Sequence, residues 1–464
     1  MSARRTTSRW LLVGALAVAA CGDPGVLDLS LAFPEGPDPL ANVDQVKLRV
    51  TEPAAEELFP VADPRRLSVE LETSVKGAVG SIVLEGLSAR TLVARGETPP
   101  LVLGPDGGAL SLLVSRAGEL SALKPRLPVA GQTMSVAILP LEGVLVAGGA
   151  DRDGRPLAGA TLYDFFHHVV VPLPALPEPR GAALGAGCGN RCALVWLGEA
   201  DRGLAQRVLR YDGTSWSSFP DGLEATQRRK GAAAVLLEDG RYLAVGGEGP
   251  SGPLATILRL EPGTVGGANP RLSLLPVALR AARRRPAVAL SKDALLVAGG
   301  QPDGAPAAEV YYLSAGSSET LVLPGGAVAE GSGACALADG RLLLLGGRDR
   351  DGRPLSDGWV VDPLTRKTDH YPKALAKGRY GHELVRFGDH VVVIGGRDET
   401  GVATEAQVLS SRGLATLRTV PMQVPRHGHG VTRIGNGTAL VSGGLGGTGD
   451  ATSLLELYQT FLSP

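Results

Sequence analysis

Short apolar runs ending in glycine pairs organise this chain. They occupy residues 144–149, 242–247, 294–300, 342–347, 391–396 and 439–444. A degenerate copy at 193–198 has Glu199 in place of the second glycine. Taking the first glycine of each copy gives positions 148, 198, 246, 299, 346, 395 and 443, a period of 47–53 residues. Self-similarity at this period means one supersecondary unit used seven times. Before each run stands a stretch led by a basic residue, as in Arg180-Gly181, Lys230-Gly231, Arg379-Tyr380-Gly381-His382 and Arg426-His427-Gly428-His429. Asp239-Gly240, Asp339-Gly340 and Asn436-Gly437 separate the two stretches, the chemistry of a tight hairpin. A polar loop follows, then a third strand ending in an aromatic (Tyr163, Tyr211, Tyr312, Tyr458) and a short fourth strand, as at Trp216. Four strands in about 48 residues is the size of a propeller blade. An array of β-sandwiches needs units of about 100 residues and does not fit.

Residues 24–117 alternate apolar and polar positions in shorter runs divided by Gly, Pro and Asp, which predicts an N-terminal β-sandwich of immunoglobulin or transthyretin type over 21–117. The expected fold class is therefore all-β, a seven-bladed propeller over 118–464 preceded by a small β-sandwich. The seventh unit has only three strands of its own. Residues 118–124 read as the missing one, a velcro strand that completes blade seven and removes an open edge.

The first 20 residues are a targeting segment, with Arg4, Arg5 and Arg9 ahead of a short apolar core. Val18-Ala19-Ala20-Cys21 resembles the lipobox of bacterial lipoproteins, which implies cleavage before Cys21 and lipidation of its thiol. Gly22, rather than Asp, then implies the outer membrane of the cell envelope. A net charge of −1 removes the basic footprint of a nucleic-acid binder. An exported compartment permits disulfides, and Cys188 and Cys192 flank a three-residue turn between two apolar runs, a spacing that suits a cross-strand bridge. Cys335 reads as a small buried hydrophobe.

The repeated Arg-x-Gly-His, Gly-Gly, Tyr-Asp and Trp216 positions make residues 131–464 resemble the kelch-repeat propellers of the galactose oxidase-like superfamily. That resemblance implies a central channel lined by the first strand of each blade. On it, Arg180, Arg229, Arg285, Arg379, His382, Arg426 and His429 either form a basic ring at the channel mouth facing an anionic group or sugar acid, or cap backbone carbonyls and pair with acidic loops. His427 and His429 share one side of a strand if it is regular, yet no third metal ligand is identifiable. No cysteine matches the copper-radical site of galactose oxidase. Asp151-Arg152-Asp153-Gly154 and Asp349-Arg350-Asp351-Gly352 resemble calcium loops without the later bidentate acid, so they read as solvated turns. No catalytic residue, metal or cofactor is expected. The expectation is a non-enzymatic lipoprotein, held to the membrane by its lipid, that binds a protein or glycan partner. The alternative is a carbohydrate-active enzyme resembling the sialic-acid mutarotases, acting at the channel mouth.

Overall fold

A computed structural model describes residues 25–52, 54–60, 69–73, 78–103, 108–140, 142–219, 223–302, 305, 307–324, 328 and 330–462. Cys21 and the targeting segment lie outside them. The protein is all-β. Among the described residues there is no α-helix, and no helix long and apolar enough to cross a membrane.

From residue 120 onward the strands form seven four-stranded antiparallel sheets. The first six start with Ser135–Leu139, Leu184–Gly189, Ala233–Leu236, Ala287–Ser291, Gly333–Ala336 and Glu383–Phe387, and each continues with the next strands of its own segment. The seventh contains Gly430–Arg433, Thr438–Ser442 and Leu454–Gln459, and its fourth strand is Leu120–Arg126. That strand pairs antiparallel with Leu454–Gln459, Leu120 opposite Tyr458. Most successive sheets touch through their first strands. The seventh also meets the first, where Thr133 N–H donates to Gly428 O (2.8 Å) and Gly444 N–H to Gly131 O (2.8 Å).

Burial explains the sequence pattern. Gly143–Ala147, Cys192–Trp196, Ala294–Ala298, His390–Ile394 and Thr438–Ser442, all second strands, are buried at every residue. Neighbouring sheets cover both of their faces, so they read as continuous apolar runs rather than as alternation. The fourth strands, such as Val169–Pro172, are largely exposed and correspondingly poor in signal. Six hydrophobic clusters each span two neighbouring sheets. One joins Leu296 and Val310 to Leu344 and Trp359, and another joins Val392 and Val408 to Val441 and Tyr458.

In the N-terminal segment seven strands share one hydrogen-bonded order: Ala55–Pro60, Gln45–Val50, Ile82–Ser88, Thr91–Glu97, Gly108–Arg116, Gly25–Ala32 and Val69–Thr73, while Ala78–Gly80 and Leu101–Leu103 pair separately. Gly108–Arg116 is long enough to pair parallel with Gly25–Ala32 through its first six residues and antiparallel with Thr91–Glu97 through its last three. Leu29, Val46, Leu48, Ile82, Leu84, Leu112 and Val114 meet in one core. A second cluster joins Leu113, Leu123 and Leu127 to Val144, Tyr163, Phe165 and Leu457, so this segment packs directly on the first and seventh sheets.

Candidate functional site

The junction between consecutive sheets repeats one backbone device. In five of the six pairs the second glycine donates its N–H to a carbonyl at the start of the next unit: Gly149 to Arg180, Gly247 to Arg283, Gly347 to Arg379, Gly396 to Arg426 and Gly444 to Gly131, all at 2.7–2.9 Å. In the degenerate unit Gly198 donates to Arg229 at 2.8 Å. Gly198 is thus the second glycine, and Leu197, at φ +63°, replaces the first, whose counterpart Gly148 has φ +64°. The sequence alignment was one residue out there.

Of the two roles open to the arginines, four of them take that of clamps capping backbone carbonyls. Arg180, Arg229 and Arg426 are fully buried and Arg379 nearly so. The Arg229 guanidinium donates to the carbonyls of Gly246 and Thr256, that of Arg379 to Gly395 and Glu405, and that of Arg426 to Gly443 and Leu454. Arg180 donates to Pro179 and Arg207 carbonyls. The guanidinium donors add to the backbone bonds at the bend, where Thr256 O also accepts the Gly246 N–H. In the fourth sheet this role falls to Arg283, which binds the carbonyls of Gly299 and Ala307 and the carboxylate of Glu309. Arg285, two residues on, is exposed. In a run of three arginines, sequence spacing could not choose between them. Burial lowers the basicity of Arg229, to about 10, and of Arg283, Arg379 and Arg426.

His382 and His429 are buried as well, three residues after the clamp arginine. The His382 ring lies against Gly346, and the His429 ring against Gly395, with the carbonyls of Leu345 and Ile394 beside them. Neither ring forms a well-shaped hydrogen bond. Burial, reinforced by Arg379 and Arg426, depresses both to about 3, so both are neutral. Gly428, at φ +62°, turns His427 away from His429. His427 faces Arg397 Nη1 at 3.4 Å, so the two imidazoles do not form a chelating pair. Among the described residues no three His, Cys, Asp or Glu side chains gather as metal ligands. Asp151 Oδ1 accepts the N–H of Asp153 and Arg155, and Asp349 Oδ1 that of Arg353, so both Asp-Arg-Asp-Gly stretches are self-capped turns.

The residues that do reach solvent are those between the fixed positions. Thr133, Ala182, Gly231, Arg285, Gly331, Gly381 and Gly428 are equivalent, and all have φ between +45° and +72°. N–H groups of Gly231, Arg285, Gly381 and Thr133 donate to the equivalent carbonyl of the preceding sheet. On this rigid frame stand Gln132, Lys230, Arg284, Glu330, Tyr380 and His427, with Glu199, Glu248, Gln301, Arg348 and Arg397 alongside on the paired loops. Lys230 pairs with Glu199 (2.9 Å) and Arg348 with Glu330, while the Arg348 guanidinium lies 5.1 Å over the Tyr380 ring. A cleft of about 640 Å³ opens here between Pro253, Arg284, Gln301, Glu330 and residues 348–352. Sequence reasoning missed this rim. Its signal was the variable, polar x of Arg-x-Gly-His, against a constant surround.

No family model matches the chain, and no curated protein matches it.

The first strands are half-exposed and mostly apolar, with Ile138 and Leu236 exposed. Glu383 is the acidic exception. Its side chain is solvent-accessible yet surrounded by protein, and burial raises its carboxyl to about 7. Cys335 is partly accessible on its own first strand, and burial pushes its thiol up to about 12, so it is an unreactive thiol rather than a nucleophile. Cys188 and Cys192 form a disulfide across the turn between the first two strands of the second sheet.

Proposed function

We propose that the seven sheets are the blades of a closed kelch-type β-propeller, and that the protein is a lipid-anchored, non-enzymatic envelope lipoprotein that binds a protein or glycan partner at its rim. The repeated inter-sheet hydrogen bonds, including those from the first sheet to the seventh, support closure. Pairing of Leu120–Arg126 with Leu454–Gln459 supports a velcro strand that covers the edge of Leu454–Gln459 and completes the seventh blade. The binding reading rests on one observation: diverse polar side chains, Tyr380 among them, are displayed at equivalent positions of a rigid frame and border a polar cleft. Fixed scaffolds with variable exposed positions are where recognition concentrates. Balanced Arg and acid with an aromatic suit hydrogen-bonding partners such as sugars or polar peptide surfaces.

The mutarotase-like reading draws on Glu383, whose carboxyl near 7 suits proton transfer. Both readings are separated by presenting residues 22–464 to a glycan array and to envelope extracts, with Arg284→Glu as the control. Arg284 is exposed and lines the cleft. The expected result is a bound glycan or protein whose affinity falls at least tenfold in Arg284→Glu with an unchanged thermal midpoint. Sugar-anomer exchange catalysed by the protein and lost in Glu383→Gln would overturn the non-enzymatic reading.

A further inference from the structure

The N-terminal sheet meets the first and seventh sheets around a second cavity, far in the chain from the rim residues. It measures about 370 Å³, within the roughly 300–1,000 Å³ of small-molecule sites. Its walls are chiefly apolar: Pro99, Pro100, Ile138, Pro140, Phe165 and Ile434. Ile138 is exposed there although its neighbours on the strand are buried or half-buried.

One wall is charged. Arg433 lies over the Phe387 ring at 5.6 Å, and its Nε and Nη2 donate to the Gly435 and Asn436 oxygens of its own turn. Nη1 makes no hydrogen bond among the described residues. The nearest carboxylate, Glu97, is already engaged. It accepts the N–H groups of Asn436 and Gly437 (both 2.7 Å) and pairs with buried Arg95, which also binds Glu85 (2.7 Å). Arg386, close enough to Arg433 to repel it, donates only to the Gly388 carbonyl. Arg433 therefore stands exposed at the edge of an apolar cavity with no carboxylate hydrogen-bonded to it among the described residues. An arriving carboxylate could pair with its guanidinium through charge-assisted hydrogen bonds.

We infer that this seam cavity is a binding site for a small molecule with an apolar body and one carboxylate, the body against Ile138, Pro140 and Phe165 and the carboxylate on Arg433. The site is independent of the rim and of ring closure.

Calorimetric titration of residues 22–464 with octanoate and with 1-octanol tests it. Octanoate is expected to bind saturably at one site, at least tenfold tighter than octanol. Arg433→Met should cut octanoate affinity at least tenfold and leave octanol unchanged, Arg433→Lys should retain it within a few-fold, and Ile138→Trp, filling the cavity, should abolish both. The thermal midpoint of each variant monitors folding. Absence of saturable octanoate binding, or binding indifferent to Arg433→Met and Ile138→Trp in folded protein, overturns the inference.

Discussion

Leu197 occupies a backbone conformation in which its six counterparts carry glycine. A left-handed conformation disfavours any L side chain by about 1 kcal/mol relative to glycine. The leucine persists because its side chain is buried beside Trp196, Val208 and Leu258, and burying a leucine outweighs that strain. The usual substitution order should therefore invert here. Leu197→Ala removes the packing and keeps the strain, for a loss of roughly 2–5 kcal/mol. Leu197→Gly removes both and should be about 1 kcal/mol more stable than the alanine variant. Urea unfolding of the two variants decides it, and an alanine variant at least as stable as the glycine variant would refute the assignment. This residue also shows why sequence alone misplaced the repeat by one position. A leucine at positive φ is indistinguishable from the apolar run it terminates. The same limit applied to Arg283 and Arg285, whose difference is orientation rather than identity.

At the scale of the element, the clamp arginines show how one position tolerates different partners. Glu309, Gln407 and Glu456 hold the same register, opposite Val297, Val393 and Val441. Each accepts the backbone N–H three residues before its clamp arginine, from Arg280, Ala376 and Gln423. Glu309 and Glu456 also form fully buried ion pairs with Arg283 and Arg426, whereas Gln407 offers only its amide oxygen. The backbone acceptor is thus the common requirement and the charge an addition. Glu309→Ala, which removes the carboxylate from the buried Arg283 pair and the acceptor of the Arg280 N–H, should destabilise by about 3–5 kcal/mol. Glu309→Gln keeps the acceptor, as Gln407 does naturally, and should cost no more than about 2 kcal/mol. Equal losses in chemical denaturation would show that charge, not acceptance, is what the position supplies. The strands were legible in the sequence because burial on both faces leaves continuous apolar runs. The parallel pairing of Gly25–Ala32 with Gly108–Arg116 was not, because nothing local encodes a partner 80 residues away.

For the whole molecule, the buried imidazoles predict how stability varies with pH. His382 and His429 are held at about 3 and His390 at about 4, all mainly by burial, against an unfolded value near 6.5. Between those limits the unfolded chain binds more protons, so stability is fully present above about pH 6.5 and falls as pH drops toward 4. Glu383 acts oppositely. Its folded carboxyl near 7 makes the protein gain stability as pH falls from 7 toward 4.5, offsetting part of the loss. Three histidines against this one carboxylate leave a net loss of stability by pH 4. Met134 fills the equivalent position of the first unit, so His382→Met/His429→Met is a conservative comparison. Thermal midpoints from pH 7 to 4 should decline less steeply in that double variant; parallel curves would exclude these imidazoles as the source. The four-stranded sheets were readable from the period, while the rim was not, because its side chains stand at positions where the repeat varies.

The pairing of Leu120 with Tyr458 has a consequence for timing. The two residues lie 338 positions apart, yet they close the same sheet. At about 5–20 residues per second of synthesis, the earlier strand waits on the order of tens of seconds for its partner. During that interval six sheets can assemble by local pairing, but the seventh cannot. Its edge stays available to any other extended chain, and the most vulnerable moment in the life of this molecule is the one just before its last strand arrives.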